Sequence, residues 1–385
     1  MSNLLIIGAS VRAAVQSAAS TPWTIFGMDM FGDIDTCTHC QFQLLDPYPE
    51  QAFRSLGNIP IQAVCITGAI ENHPHLLQHL AASAELYAPS LAQISRLRDP
   101  FELQRQLTAA GFAYPTTLPS GTTSLPGKQK WLSKPVASAA GLGISKLESL
   151  QDRSIDESRV LQQFIDGRSL SATFLTHPNQ THLLGVTKQL LGEAAFNAKG
   201  FQYCGSIGPL VLSTSLQQHL LELGSFLQRE YKLRGLIGVE FVQQDKRVWV
   251  IEINPRYTAS MELLESAMGR SLIQLHLDSF SDTCPDLGGR PLSNQTFGKA
   301  ILFASEEVTI PPTLSSHWEQ CLNSTGGDCA DLPLIGSTIA RGHPLFTVFA
   351  QGETVSDTFQ RLCEQARYFD AILMPSSKPM PSTSS

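Results

Sequence analysis

Two β-prone runs flank a short polar turn: Leu236-Ile-Gly-Val-Glu240-Phe-Val, then Val248-Trp-Val-Ile-Glu252-Ile-Asn254-Pro-Arg256. Runs so spaced predict an antiparallel hairpin. Side chains alternate between faces along a strand. The odd positions Ile237, Val239, Phe241, Trp249, Ile251 and Ile253 are apolar and make a face to be buried. The even positions put Glu240, Glu252 and Asn254 on the other face. Glu240 then lies opposite or nearly opposite Glu252, an arrangement that costs free energy unless a cation lies between them. Hard oxygen donors of this kind suit Mg²⁺ (or Mn²⁺), which keeps places in its shell for phosphate oxygens and water. A solvated polar face is the alternative, but it would intersperse Lys or Arg among the acids, and no even position of either run carries one. Arg256 follows Pro255 with a guanidinium able to pair bidentately with phosphate or carboxylate. A surface arginine satisfying a loop is the other reading.

A second set of residues lies upstream. Trp131-Leu-Ser-Lys134-Pro135 ends a short strand on a lysine, and Ala137-Ser-Ala-Ala-Gly141-Leu-Gly143-Ile144 follows. Small residues let backbone amides approach phosphate oxygens, and Lys134 adds a point charge. The loop is neither a Walker A loop nor GxGxxG. Val160 to Gly167 reads as an extended strand whose exposed backbone can meet an adenine edge.

The order of these parts tells more than any one of them: lysine with glycine loop, hinge strand, then Glu…Glu-x-Asn-x-Arg. In that order the sequence resembles the ATP-grasp superfamily, which includes biotin carboxylase and D-alanine–D-alanine ligase, over roughly residues 1 to 280. The resemblance implies an α/β fold with a Rossmann-like N-terminal domain (1–95) and a two-lobed ATP-grasp core (96–280, lid about 128–165). A small β-rich C-terminal domain (281–374) would follow. It implies ATP with Mg²⁺ or Mn²⁺. By that likeness Lys134 contacts the phosphates and, with Arg256, serves catalysis. Arg98 takes the place of the first phosphate-side cation, where Lys is commoner. Ser138, Gly141 and Gly143 belong to the lid loop, and Gln162, Gln163, Phe164 and Ile165 to the adenine-contacting segment. Glu240, Glu252 and Asn254 match the metal ligands. The chain departs from the pattern at Gln162, where many members have Glu, and at Ser169, where many have an acid for the ribose.

A narrower likeness is to the ATP-dependent carboligases related to biotin carboxylase, a group associated with one-carbon-carrier (methanopterin or methanofuran) metabolism. It is carried by Gly8-Ala-Ser-Val-Arg12-Ala-Ala, Asp29-Met-Phe-Gly-Asp33, Glu71-Asn72, Tyr203-Cys-Gly-Ser-Ile-Gly-Pro209 and Asn254-Pro-Arg-Tyr-Thr-Ala-Ser260. The implied activity is a carboxylate–amine ligase: a carboxylate takes the γ-phosphoryl of ATP, and an amine displaces phosphate from the acyl phosphate. A non-catalytic ATP-binding scaffold or sensor and a carboxylase using carboxyphosphate are the competing readings, the latter without a visible biotinyl-lysine segment. Candidate acyl or amine contacts are Arg12, Lys188, Tyr203, Gly205, Ser206 and Glu262, with structural turns and a solvated helix face as alternatives. Lys299 reads as a salt-bridged surface lysine, with a reach into the active site as the alternative.

The elements that must position these residues are legible in outline. Leu4 to Ile7 is a continuous apolar run stopped by Gly8 and followed by an Ala-rich helix. Strand signals recur at Trp23 to Met28 and Ile61 to Thr67, so a parallel, doubly wound sheet is predicted. A dinucleotide site is disfavoured because the turn lacks GxGxxG, although Asp29 lies near the expected acid and Ser10, Arg12 and the helix start could hold an anion. Asp99-Pro100 opens a helix that Gly111 stops. A long helix is predicted around Leu216 to Tyr231. Short β segments are predicted from about 285 onward, and Pro375 to Ser385 reads as a disordered tail.

Bulk composition sets the frame. The 385 residues suffice for two to four domains, and 42% hydrophobic with 16% charged residues reads as soluble and globular. A net charge of −7 without a basic stripe argues against a nucleic-acid partner. No apolar run reaches membrane-spanning length, and the start lacks a basic leader, so the cytoplasm is expected. The expected partners are small-molecule carboxylates and amines, with a homodimer as a candidate assembly. Eight scattered cysteines do not resemble a disulfide scaffold. Cys37-Thr-His39-Cys40 has CxxC spacing without a second pair, and reads as two reduced thiols.

Overall fold

The computed structural model describes residues 2–149, 156–288, 293, 295–324 and 327–374. The expected tail, 375–385, and residues 150–155 of the expected lid lie outside them.

The chain opens with β1 (Asn3–Ile7), β2 (Thr24–Asp29), β3 (Gln41–Leu44), β4 (Ala63–Ile66) and β5 (Glu85–Tyr87). They form one parallel sheet in the order β3-β2-β1-β4-β5. Leu4, Leu5, Ile6 and Ile7 are all fully buried, as a parallel strand covered on both faces requires. Gly8 follows β1 at a point where a Cβ would lie 1.8 Å from Thr67 Oγ1, so no larger residue fits the turn. Asp29, at the end of β2, accepts from the Val11 amide at 2.9 Å and from those of Phe31 and Gly32 at 2.9 and 3.1 Å. The protein's own carboxylate thus fills the place beside helix Arg12–Ala18 where a dinucleotide fold would put phosphate.

Helix Pro100–Ala109 begins as its sequence predicts. Asp99 accepts from the amides of Phe101 and Glu102 at 2.9 and 3.2 Å, with Pro100 in the first turn. The helix leads into a small sheet of β6 (Thr117–Pro119), β7 (Trp131–Pro135), β8 (Ser145–Leu147) and β9 (Arg159–Gln163), ordered β6-β9-β7-β8.

The remaining strands are β10 (Arg168–His177), β11 (Gln180–Leu191), β12 (Tyr203–Gly208), β13 (Gly235–Gln244), β14 (Arg247–Asn254), β15 (Thr296–Phe303), β16 (Val308–Thr309), β17 (Cys329–Ala330), β18 (Thr338–Ile339) and β19 (Pro344–Gly352). Eight of them make one antiparallel sheet, β14-β13-β10-β11-β12-β15-β19-β17, while β16 and β18 pair apart. The C-terminal strands therefore prolong the sheet that carries the hairpin, since β15 pairs with β12. Helix Thr214–Tyr231 packs on this sheet through Leu220, Leu223, Leu227 and Tyr231. Gly224 permits the approach, for a Cβ there would lie 2.6 Å from the Phe174 ring.

Two sequence expectations are corrected. The C-terminal part is not only short β segments: it holds helices Ser315–Asn323 and Val355–Leu373, the latter burying Thr358, Leu362, Ala366, Phe369 and Leu373. The hairpin does not keep strict alternation either. Gly238 pairs with Asn254, Val239 with Ile253 and Glu240 with Glu252, but Phe241 pairs with Val250, so Ile251 is an extra residue. Beyond this bulge Val248 and Val250 take the buried face, and Trp249 and Ile251 leave it.

Candidate active site

The hairpin brings the two glutamates face to face in a cleft between the small sheet and the large one. Asn254 Nδ2 donates to Glu240 Oε1 at 3.4 Å, and Arg256 Nη2 donates to Asn254 Oδ1 at 3.0 Å. Arg98 Nη1 donates to Glu252 Oε1 at 2.6 Å, while Lys134 Nζ is 4.0 Å from Oε2 of the same carboxylate. Arg256 Nε also donates to Glu71 Oε1 at 2.8 Å, and its guanidinium lies so close to Gly68 that a Cβ there would be 3.1 Å away. Three cations from three separate segments thus surround three acids. The Glu252 side chain keeps 24% of its exposure, which leaves it reachable from the cleft.

Electrostatics separate the two glutamates. Burial pushes Glu240 up to about 7, Glu252 adds to the rise, and Lys134, a Gln189 hydrogen bond and Arg256 oppose it. Burial also works against the Glu252 carboxylate, but Lys134 and Arg98 outweigh it and hold that group below its usual range. The pair is a like-charge contact only partly relieved by protein cations.

The bulge has a consequence in the cleft. It turns Ile251 out of the core, where it lines the space beside Glu252 with Tyr114, Lys134, Gln162 and Val160. Tyr114 and Ile251 were not read as site residues. Tyr114 has no motif of its own, and Ile251 had been assigned to the wrong face.

The glycine loop is docked, not free. Ser138 O accepts from Asn72 Nδ2 and Arg98 Nη2, both at 3.3 Å. Ala140 and Gly141 have φ of +53° and +72°, and Gly143 has +74°. A Cβ on Gly141 would fall 1.9 Å from Phe201 O, and the Tyr203 amide donates to Ala140 O at 2.9 Å. In the hinge segment, Gln163 N donates to Thr116 O and Phe164 N to Lys130 O, each at 2.8 Å. No acceptor meets the Ile165 amide among the described residues. Gln162 is buried and donates to Thr117 Oγ1 at 3.1 Å. Phe164 meets Phe201 edge-on, with ring centroids 6.1 Å apart.

The candidate substrate residues fall into separate places. Arg12 is 1% exposed and meets Glu262, Asp331 and Gln16 with five hydrogen bonds, among them Nε to Asp331 Oδ1 at 2.9 Å. Its five N–H donors are all engaged within the protein. Lys299 Nζ donates to Glu262 Oε2 at 2.6 Å and is 3% exposed, so it is a buried ion-pair partner and not the expected surface lysine. Asp35 accepts from the amides of Asp331 and Leu332 at 2.8 and 2.9 Å. These contacts join the N-terminal parallel sheet and its helices, the helix after the hairpin and the C-terminal strands. Burial works against the Asp331 carboxylate, but Arg12 and Lys299 hold it well below the usual range. Burial pushes Asp33, close by, up to about 9, with Asp331, Asp35 and Asp29 adding to the rise. Tyr203 and Ser206 share a hydroxyl hydrogen bond of 2.8 Å. Gly205, at φ +150°, lets β12 approach β15, for a Cβ would lie 2.1 Å from Lys299 O. Lys188 lies apart, 5.7 Å over the Phe359 ring. Cys37 and Cys40 spend their thiols on the carbonyls of Gly32 and Thr36, and no metal-ligand group among the described residues includes them.

Residues 97–260 match the family model for an ATP-grasp domain. An uncharacterized protein of Methanocaldococcus jannaschii is 20% identical over 389 residues, covering 95% of this chain and 92% of that protein. The carbamoyl phosphate synthase large chain of Caldanaerobacter subterraneus is 22% identical over 171 residues, 42% of this chain but only 16% of that one. Among solved structures, biotin carboxylase from Campylobacter jejuni superposes with a TM-score of 0.70 at 12% identity, covering 93% of this chain and 89% of that one. L-amino acid ligase from Bacillus licheniformis gives 0.69 at 14% identity, covering 96% and 97%. Residues 97–260 are thus an ATP-grasp domain, set in a chain whose fold over nearly its whole length is the one that biotin carboxylase and L-amino acid ligase share.

Proposed function

We propose that this protein is an ADP-forming ligase that joins a carboxylate to an amine through an acyl phosphate. The observation that carries the reading is the facing pair Glu240 and Glu252, ringed by Arg98, Lys134 and Arg256. Two facing carboxylates, one of them driven up to about 7, suit a divalent cation, and the donor set of Glu240, Glu252 and Asn254 is all hard oxygen. Those three residues would hold Mg²⁺ or Mn²⁺, which when bound neutralises charge on the triphosphate.

The chain's own residues supply the rest. The apolar side chains Ile251 and Val160, with Tyr114, wall the cleft assigned here to the nucleotide base, and the Ile165 amide is the hinge donor left for it among the described residues. The Lys134 ammonium, 4.0 Å from its nearest carboxylate oxygen, makes no hydrogen bond among the described residues and offers its donors to phosphate oxygens. Arg256 is held by Glu71 and Asn254 in the orientation needed to meet the transferred phosphoryl group. The substrate carboxylate oxygen bonds to the γ-phosphorus as the bond to the β-bridging oxygen breaks, releasing ADP. The amine nitrogen then bonds to the acyl carbon, phosphate leaves, and the amine gives up a proton. Positioning and fixed charge do the work, with the docked loop excluding water.

The ligase named among the structural neighbours supports this reading over a binding scaffold. A second reading, bicarbonate as the carboxylate, draws on the biotin carboxylase and carbamoyl phosphate synthase likenesses. The motifs around Arg12, Glu71 and Tyr203 extend the proposal to a one-carbon carrier of methanopterin or methanofuran type as the molecule that gains the amide. The chain would act as a homodimer, which sedimentation can check. The test is ADP release with Mg²⁺, ATP and pools of carboxylates and amines, with and without bicarbonate. The ligase reading expects release only when carboxylate and amine are both present. Release that needs bicarbonate alone selects the second reading, and no release from any pair contradicts both.

A further inference from the structure

Away from the cleft, four side chains with metal-binding chemistry converge at the end of the eight-stranded sheet. His317 and Cys321 are one turn apart on helix Ser315–Asn323 and share a face. Asp328 and Cys329 arrive from the segment that enters β17. His317 Nε2 is 3.2 Å from Asp328 Oδ1 and 3.6 Å from Cys329 Sγ, and Cys321 Sγ is 3.3 Å from Asp328 Oδ1. All four donor atoms lie within 4.8 Å of one another. A tetrahedral zinc ion with Zn–S of about 2.3 Å and Zn–N or Zn–O of about 2.0–2.1 Å requires ligand-to-ligand edges of about 3.3–3.8 Å. The three measured edges agree with that requirement to about 0.1–0.3 Å.

We propose that His317, Cys321, Asp328 and Cys329 form a structural zinc site. Two thiols and an imidazole select a borderline-soft ion, in contrast to the all-oxygen set of the cleft. Four protein ligands fill a tetrahedron and leave no position for a substrate, so the ion's role is to clamp. The clamp ties the helix to β17, and two residues beyond Cys329 the chain reaches Asp331, the acceptor for Arg12. The same helix anchors that segment again at Trp318, whose Nε1 donates to Pro333 O at 3.0 Å. The His317 ring is held edge-on against Phe369, with centroids 5.1 Å apart, which fixes its orientation. Zinc would thus set the position of the strand end on which the domain junction depends.

The test uses the full chain, produced with zinc, dialysed against a weak chelator, and assayed for metal content and for free thiols after denaturation. The proposal expects one zinc per chain and all eight cysteines as thiols. Cys329→Ser and His317→Ala should lose the zinc, while Glu240→Gln and Cys363→Ser should keep it. Replacement of zinc by Co²⁺ in the unmodified chain should give thiolate-to-cobalt charge transfer and the visible bands of a tetrahedral centre, so the result does not depend on a variant that folds poorly. A chain that takes up neither ion with its thiols reduced overturns the proposal. So does a Cys321–Cys329 disulfide, or zinc that survives in both ligand variants.

Discussion

Around the hairpin, Arg98, Lys134 and Arg256 face Glu71, Glu240 and Glu252; at the junction of the N-terminal and C-terminal segments, Arg12 and Lys299 face Glu262, Asp331 and Asp35. Each set puts Arg and Lys against carboxylates, yet the two are finished differently. At the junction every donor of Arg12 has an acceptor in the protein, and the surplus of acid is met by protonation, with Asp33 pushed up to about 9. In the cleft, Lys134 reaches its nearest carboxylate oxygen only at 4.0 Å, and Glu240 is driven up to about 7 instead of being paired. A saturated cluster has its charges spent on tying segments together, whereas an unsaturated one has charge left over for a ligand. Motif reading grouped Arg12 and Glu262 with substrate contacts because it sees residue types, and saturation is a property of the folded chain.

Substitutions can break this contrast. Arg12→Met leaves Asp331 buried without its main cation, so the loss should be about 3–5 kcal/mol of stability, read from urea unfolding. A loss under about 1 kcal/mol together with a raised KM for the carboxylate would move Arg12 from tie to substrate contact. Glu252→Gln should do the reverse, lowering turnover by about 10²–10³-fold with the unfolding midpoint kept. Intact turnover with lost stability would make the cleft a second tie.

A smaller effect probes another tie, between β5 and β13. His276 accepts from the Leu236 amide at 2.9 Å and donates to Tyr87 O at 2.8 Å, which consumes both nitrogens of the neutral ring. Burial pushes its pKa down to about 4, with the Tyr87 contact opposing. Between about 6.5 and 4 the unfolded chain therefore binds more protons than the folded one, and His276's contribution to stability falls as pH drops through that window, by roughly 3 kcal/mol in all. Proton NMR should place its titration midpoint near 4. A midpoint near 6.5 would show that the ring is open to water.

How far sequence alone reaches varies along the chain for physical reasons. The parallel sheet was legible because Leu4 to Ile7 is apolar without interruption and Gly8 breaks it. Helix Pro100–Ala109 was legible because its cap is local. The hairpin and the pairing of Glu240 with Glu252 followed from a period of two, but the bulge at Ile251 has no local signature, so the faces of Trp249 and Ile251 came out reversed. Helix Val355–Leu373 had a readable pattern, since its buried residues fall at helical spacing and Thr354 caps Asp357, but the Gly- and Pro-rich stretch before it favoured a β reading. The tie from Arg12 to Asp331 spans 319 residues and could not be read.

If Glu240 and Glu252 together hold a divalent ion beside the nucleotide, Mn²⁺ binding in the presence of ADP, followed by electron paramagnetic resonance, must depend on both. A ligand carboxylate must be ionised, so affinity should weaken as pH falls through about 7, where Glu240 takes up its proton. Glu240→Gln and Glu252→Gln should each weaken binding at least about tenfold with the fold retained. Equal Mn²⁺ affinity in the unmodified chain and both variants, unchanged across that pH range, would show that the facing glutamates hold no such ion.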